Sequence, residues 1–501
     1  MTLLLKSKAM QVSAIAVTAM LVSSPAYARK SITPYIEVDQ TVSAQLKGGD
    51  EVLTYTSVAA GIDASVQNSR SEFQISYRYE HNFAWNDPIQ DGDVHSGLAR
   101  GSVQVVPGVV TMEGGAIATR ARNDIRGAAP GILDANSGNT TQVYSAYVGP
   151  TVSHNVGPVQ LNSAYRLGYT KVESDERVAL APGEPLLDNY DDSVSHLASV
   201  TASMSPGELP FGWTVGAAYE REDTGQLDQR FESTSVRGDV MVPITPTLAA
   251  VGGVGYEDVE ISQRNAVLGA GGTPLLGGDG RFVTDKTSAR QLAYETDGIY
   301  WDAGLSWRPS SRTDLEFRVG RRYGTMSYTG ALSYQMDEAT AFSVVGYDQV
   351  QTFGQQLSDN LSRLPTSFRP NNSSLGQNYG GCTYGNGGSA GGCMNGALGS
   401  INTAAYRSRG VSASMSSSRG PWSSGVGIGY EQRKYLAPSG VGYTVNGQRD
   451  QTVYAQANVG RKLTEASSID GSIFGSLYDP GIPGSPDVLS TGALGGYSHS
   501  F

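Results

Sequence analysis

Thirteen charged side chains fall at every second position of segments whose other positions are apolar: Glu37, Asp39, Arg78, Glu80, Glu113, Arg166, Glu220, Glu222, Glu257, Glu316, Arg318, Glu431 and Arg433. Set inside a closed interior, opposite charges in such a set pair and brace the wall. Set around water, they form rings that filter solutes. Carboxylates outnumber guanidinium groups among them, which favours cations or neutral sugars over anions. Nucleophilic chemistry has weaker support. "GGSAG" at Gly387–Gly391, with Ser389 at its centre, fits the G-x-S-x-G spacing. That motif works only on a strand, a strained elbow and a helix, and here it lies in a glycine-rich stretch. His81, His95, His154, His196 and His499 are scattered. They give no Ser-His-Asp order and no paired ligands, so no catalytic, cofactor or metal site is expected and the chain is not read as an enzyme. Cys382 and Cys393, in "GCTYGNGGSAGGC", are expected to close a disulfide across a small external loop, because no histidine accompanies them as a metal ligand.

The elements that hold the charged set are strands. In "EFQISYRYEHNFAW", Phe73, Ile75, Tyr77, Tyr79, Phe83 and Trp85 share one face, and Glu72, Gln74, Ser76, Arg78, Glu80 and Asn82 the other. About twenty segments repeat the scheme, many of them near the 9–11 residues of a tilted membrane strand. Turns such as those at Asn68, Pro107, Asn155, Pro243 and Ser417 alternate with longer loops, among them 122–140, 174–191, 262–298 and 352–402. That alternation is the mark of a membrane barrel. Trp213, Trp307 and Trp422 lie next to short turns, and Trp85 and Trp301 are expected at the opposite strand ends, completing two aromatic girdles. The expected fold is all-β: a transmembrane antiparallel β-barrel of about 20 strands, with 18 or 16 as alternatives. A barrel this wide holds water unless a loop folds into it.

The 501-residue chain has 63 glycines, 27 tyrosines and a net charge of -11, a balance that argues against nucleic acid as a partner. Its start, with Lys6, Lys8, an apolar run and "SPAYA", predicts a secretory signal over 1–28 cleaved after Ala28. No cysteine follows for a lipid anchor. Residues 29–501 then form one barrel domain with long external loops at about 262–298 and 352–402.

With these features the chain resembles a bacterial, Gram-negative outer-membrane β-barrel. The terminal "YSHSF" carries that resemblance furthest. It implies that Tyr497 and Phe501 are read by the barrel-assembly machinery, with His499 departing from the usual apolar residue between them. It further implies the outer membrane as location, its lipid as partner, and a channel or transport role for small solutes. "SITPYIEVDQ", "VLTYTSVAAGIDASVQ" and "SYRYEH" are similar to an uncharacterised barrel family tied to exosortase and exopolysaccharide loci, whose members have been labelled a preprotein translocase subunit. That likeness, over the first quarter of the chain, implies a link to polysaccharide export. The alternatives are a plugged structural or surface-interaction barrel and an outer-membrane hydrolase.

Overall fold

The computed structural model describes residues 29–49, 52–85, 92–123, 139–173, 188–369, 381–386, 391–394, 396–399, 401–438, 446–482 and 485–501. The signal segment with Ala28, most of 122–140 and 174–191, and Ser389 lie outside the described residues. Twenty strands form one sheet. They are β1 (Arg29–Lys47), β2 (Val52–Gln67), β3 (Ser71–Ala84), β4 (Gly92–Val106), β5 (Val110–Arg122), β6 (Thr140–Val156) and β7 (Val159–Glu173). Next come β8 (Asp192–Met204), β9 (Gly212–Thr224), β10 (Arg230–Thr245), β11 (Leu248–Gln263), β12 (Gln291–Ser310), β13 (Thr313–Arg322), β14 (Thr325–Asp337) and β15 (Thr340–Gln351). The set ends with β18 (Ala405–Arg419), β19 (Trp422–Leu436), β20 (Arg449–Lys462), β21 (Ser467–Asp479) and β22 (Val488–Ser500). A separate pair, β16 (Cys382–Thr383) and β17 (Gly392–Cys393), and one helix, α1 (Phe353–Arg363), lie between β15 and β18.

Each barrel strand runs antiparallel to its neighbours, β15 pairs directly with β18, and β22 pairs with β1. The ring is therefore a closed 20-stranded antiparallel barrel. Closure is what a membrane demands, because an edge strand would leave its N–H and C=O groups without partners in hydrocarbon. The two-residue period decides which side chains meet lipid. Val38, Val42, Val58, Ile62, Val254 and Ile473 are exposed on the outside, whereas Glu37, Asp39, Ser57, Asp63 and Glu257 are buried inside. At the seam of closure Val38 faces Tyr497 and Tyr35 faces Ser500, and the Phe501 N–H donates to the Pro34 carbonyl at 3.0 Å. The Phe501 ring stays 71% exposed on the outer face.

Two expectations need correction. Trp301 does not end a strand: β12 begins at Gln291, which takes Gln291–Gly298 out of the expected loop 262–298. The ladder to β11 extends as far as Gln263–Gln291, so β11 and β12 rise together beyond the shorter β13. Trp301 is still level with Arg321, near the rim where β13 turns into β14. The larger correction concerns the external loop expected at 352–402, whose described residues lie inside the ring. Thr352 caps α1 in a box with Gln355, and the segment turns into the barrel. There Phe353, Leu357, Leu361, Leu364 and Phe368 pack on Leu98, Ile117, Val143 and Val172, which point inward from β4 to β7. These apolar residues sit on the lumen face, where a water-filled pore would carry polar ones, and that patch is why the segment docks there.

Candidate functional site

The inward segment is fastened to the wall by polar contacts around the ring. Glu222 of β9 accepts from Thr352 Oγ1 at 2.5 Å and from Tyr190 Oη at 2.9 Å. On the far side, Glu431 of β19 accepts from Gln356 Nε2 at 2.8 Å, Ser408 Oγ at 2.7 Å and Tyr347 Oη at 3.0 Å. Gln74 of β3 holds the Phe368 backbone from both sides, its Nε2 donating to the carbonyl and its Oε1 accepting from the N–H. Arg100 of β4 donates to the Leu361 carbonyl, and Tyr384 Oη donates to Asn458 of β20 at 3.2 Å. Cys382 and Cys393 are joined in a disulfide. It lies not in an outside loop but inside, against Gly427 of β19, where a Cβ would come within 2.3 Å of Cys382 Sγ. Only a glycine lets the bridge lie flat on the wall there.

The segment fills the lumen unevenly. Along β10–β15 a polar cavity of about 270 Å³ is lined by Arg237, Asp239, Asp302, Arg318, Arg322 and Thr329, among others. A second, of about 540 Å³, continues toward the short-turn rim past Glu316 and Asp314 to Arg308. The two share Arg318 and Thr329. A third, of about 200 Å³, shares Ser343 with the second and runs between the segment and the wall, past Tyr347, Arg363 and Cys393. Charges in the first two are matched. Arg237 reaches Asp239 and Asp302 at 2.7 Å each, and Arg318 reaches Asp239 at 2.6 Å, Asp302 at 2.9 Å and Glu316 at 2.6 Å. Arg322 pairs with Glu257 at 2.7 Å.

The thirteen sequence-derived charges thus divide by place. Glu316 and Arg318 line the passage, and Glu257 holds Arg322 beside it. Glu222 and Glu431 anchor the inward segment. Glu37, Asp39 and Glu80 surround Arg78, with Glu37 at 3.0 Å, on the β1–β3 wall. Arg433 is paired with Asp450 at 2.8 Å, both about 1% exposed, and the Tyr435 and Tyr478 hydroxyls donate to the same carboxylate. Glu113 and Arg166 form a looser pair at 3.4 Å, and Glu220 lies half-buried on β9. Sequence reasoning missed Arg237, Asp239 and Asp302. The alternation rule finds them once β10 and β12 are given their full lengths. It does not find Asp348, which alternates with the lumen positions of β15 and is nevertheless buried.

Above the lumen the loops meet at Asp188. Its Oδ1 accepts from Gln226 Nε2 at 2.7 Å and from the Phe282 N–H at 3.1 Å, while its carbonyl accepts from the Thr403 N–H at 3.2 Å. Burial pushes this loop carboxyl up to about 7. Among the described residues no cluster of three or more His, Cys, Asp or Glu is arranged to hold a metal ion.

No protein-family model matches the chain, and no curated protein sequence does. Among solved structures, the FrpB iron transporter from Neisseria meningitidis is 8% identical, with 94% of this chain and 81% of that chain covered and a TM-score of 0.39. The ferric-catecholate import receptor Fiu from E. coli K12 is 9% identical over 93% and 81%, with a TM-score of 0.40. OccK11 from Pseudomonas aeruginosa is 10% identical over 94% and 96%, with a TM-score of 0.31. By its own closed ring, apolar outer face and charged interior, the chain is an outer-membrane-type β-barrel.

Proposed function

We propose that this protein is an outer-membrane channel whose lumen is narrowed by the described residues of 352–402 and conducts small water-soluble solutes along the β10–β15 wall. The observation that carries this reading is the pair of cavities sharing Arg318 and Thr329, which together reach from the level of Arg322 to Arg308 beside the short turn. Matched charges along that path hydrogen-bond polar solutes without a strong net field, which suits neutral hydroxyl-bearing molecules better than ions of either sign. Planar-bilayer recording tests it: discrete conductance steps are expected, and a barrel silent at all voltages contradicts it.

A barrel sealed by its own segment, serving structure or surface interaction, is the second reading. It is favoured by the contacts that tie the segment to β3, β4, β9, β19 and β20, and the same recording decides between the two. The narrower role, in exopolysaccharide export, rests on the likeness of the first quarter of the chain to the exosortase-associated family. A deletion strain with unchanged surface polysaccharide would remove it.

A further inference from the structure

The wall of the barrel parts at one place beside the passage. The β14–β15 ladder runs from Asp337–Thr340 to Gly330–Gly346 and stops. Both strands continue. Thr325–Thr329 of β14 stay paired with β13, and Tyr347–Gln351 of β15 stay paired with β18, but among the described residues no ladder pair joins the two stretches. The parting begins two residues below Tyr328, an exposed outer-face aromatic at the interfacial girdle, so it opens at the lipid boundary. Backbone without a neighbouring strand is tolerated at that depth only when covered by protein or when lining a watery cavity. The 270 Å³ cavity lies there, bordered by Ser327 and Thr329 of β14 and by Asp348 of β15. This also explains why Asp348, on the outward parity of β15, is buried.

Beyond the parting the two edges overlap. Val350, Ala405 and Leu436, on the outward faces of β15, β18 and β19, pack against Phe231, Val259 and Ile261, which point inward from β10 and β11. The β13–β14 tip is stitched across the overlap by two arginines of β18. Arg407 binds Asp348 at 2.7 and 2.8 Å and donates to Thr325 Oγ1 at 2.8 Å. Arg409 donates to Thr325 Oγ1 at 2.6 Å and to the Met326 carbonyl at 3.1 Å. The ladder also stops short between β4 and β5, above Gly97–Ala118. There the Gln142 amide spans the strands, donating to the His95 and Thr119 carbonyls.

We infer that the β14–β15 parting is a side mouth of the lumenal passage, clasped at its tip by Arg407 and Arg409, through which polar solutes enter or leave beside the inward segment. The inference rests on the channel reading. Both native cysteines are bonded to each other, so a cysteine placed at Ser327 is the sole free thiol in the chain. The test records Ser327→Cys before and after a charged methanethiosulfonate reagent, with mass spectrometry reporting labelling and heat-modifiable mobility reporting the folded barrel. Conductance is expected to fall to about half or less, as for a charge set in a constriction. Fully labelled protein that conducts as before overturns the side mouth and moves the conducting path away from the 270 Å³ cavity, while conduction through the barrel stands. A parent protein that never conducts overturns both. Arg407→Ala with Arg409→Ala is expected to raise mean conductance or open time, and a folded double variant indistinguishable from the parent removes the clasp.

Discussion

Asp302 stands between two guanidinium groups, Arg237 and Arg318, and its charge keeps the passage balanced. Asp302→Asn leaves one positive charge in excess in a partly dehydrated space. A unit charge ~4 Å from a permeating ion is worth about 4 kcal/mol at an effective dielectric of 20. The variant is therefore expected to become anion-selective, read as a shift in reversal potential under a salt gradient. An unchanged potential would mean that ions do not pass this pair. A second residue sets a pH response. The Asp188 carboxyl is raised by burial from 3.8 to about 7, so its neutral form is the one the loop junction favours. The stability it contributes is fully present below pH 3.8 and is lost as pH rises through about 7. The protection of the Phe282 backbone amide against hydrogen exchange, taken relative to its intrinsic base-catalysed rate, should therefore fall between pH 3.8 and about 7. Asp188→Asn should flatten that dependence, and a wild type without it would show that the junction does not sense this proton.

Among the elements, α1 is the one whose place matters most to the lumen. Its first turn is held by Thr352, which caps the helix and also donates to Glu222. Thr352→Ala removes both interactions, at about 1 kcal/mol for the cap alone. Faster amide exchange confined to α1, with barrel strands unaffected, is the expected result, and exchange identical to the parent would show that the cap is dispensable. The strands were legible from residue type because lipid and lumen impose opposite chemistry on alternate positions, as in Glu37–Val38–Asp39. The inward course of 352–402 was less so. Its two signals, the Thr352/Gln355 capping box and the inward Leu98, Ile117, Val143 and Val172, acquire meaning only when β4 to β7 are seen to share one wall. The position of Asp348 had no signal at all, because its burial depends on two strands failing to pair.

For the molecule as a whole, the last strand closes the ring, and the exposed Phe501 with Tyr497 marks its end on the outer face. We predict that this pair is the signal for the assembly machinery, so that deleting Phe501 should lower the amount of folded barrel in membranes far more than it alters the conductance of the molecules that do fold. Equal yields of parent and variant would exclude that role. The path of the inward segment has a mechanical side. It leaves β15 at Thr352 and rejoins the wall at Ala405, and both points belong to the rim that carries the long loops. At the opposite rim Arg369 donates to the Ser417 carbonyl at 3.2 Å, beside a short turn, so the described part of the segment is fastened at both rims and spans the chamber like a strut. A strut held at both ends resists a push from either side, so clearing the bore requires releasing the contacts at one rim first.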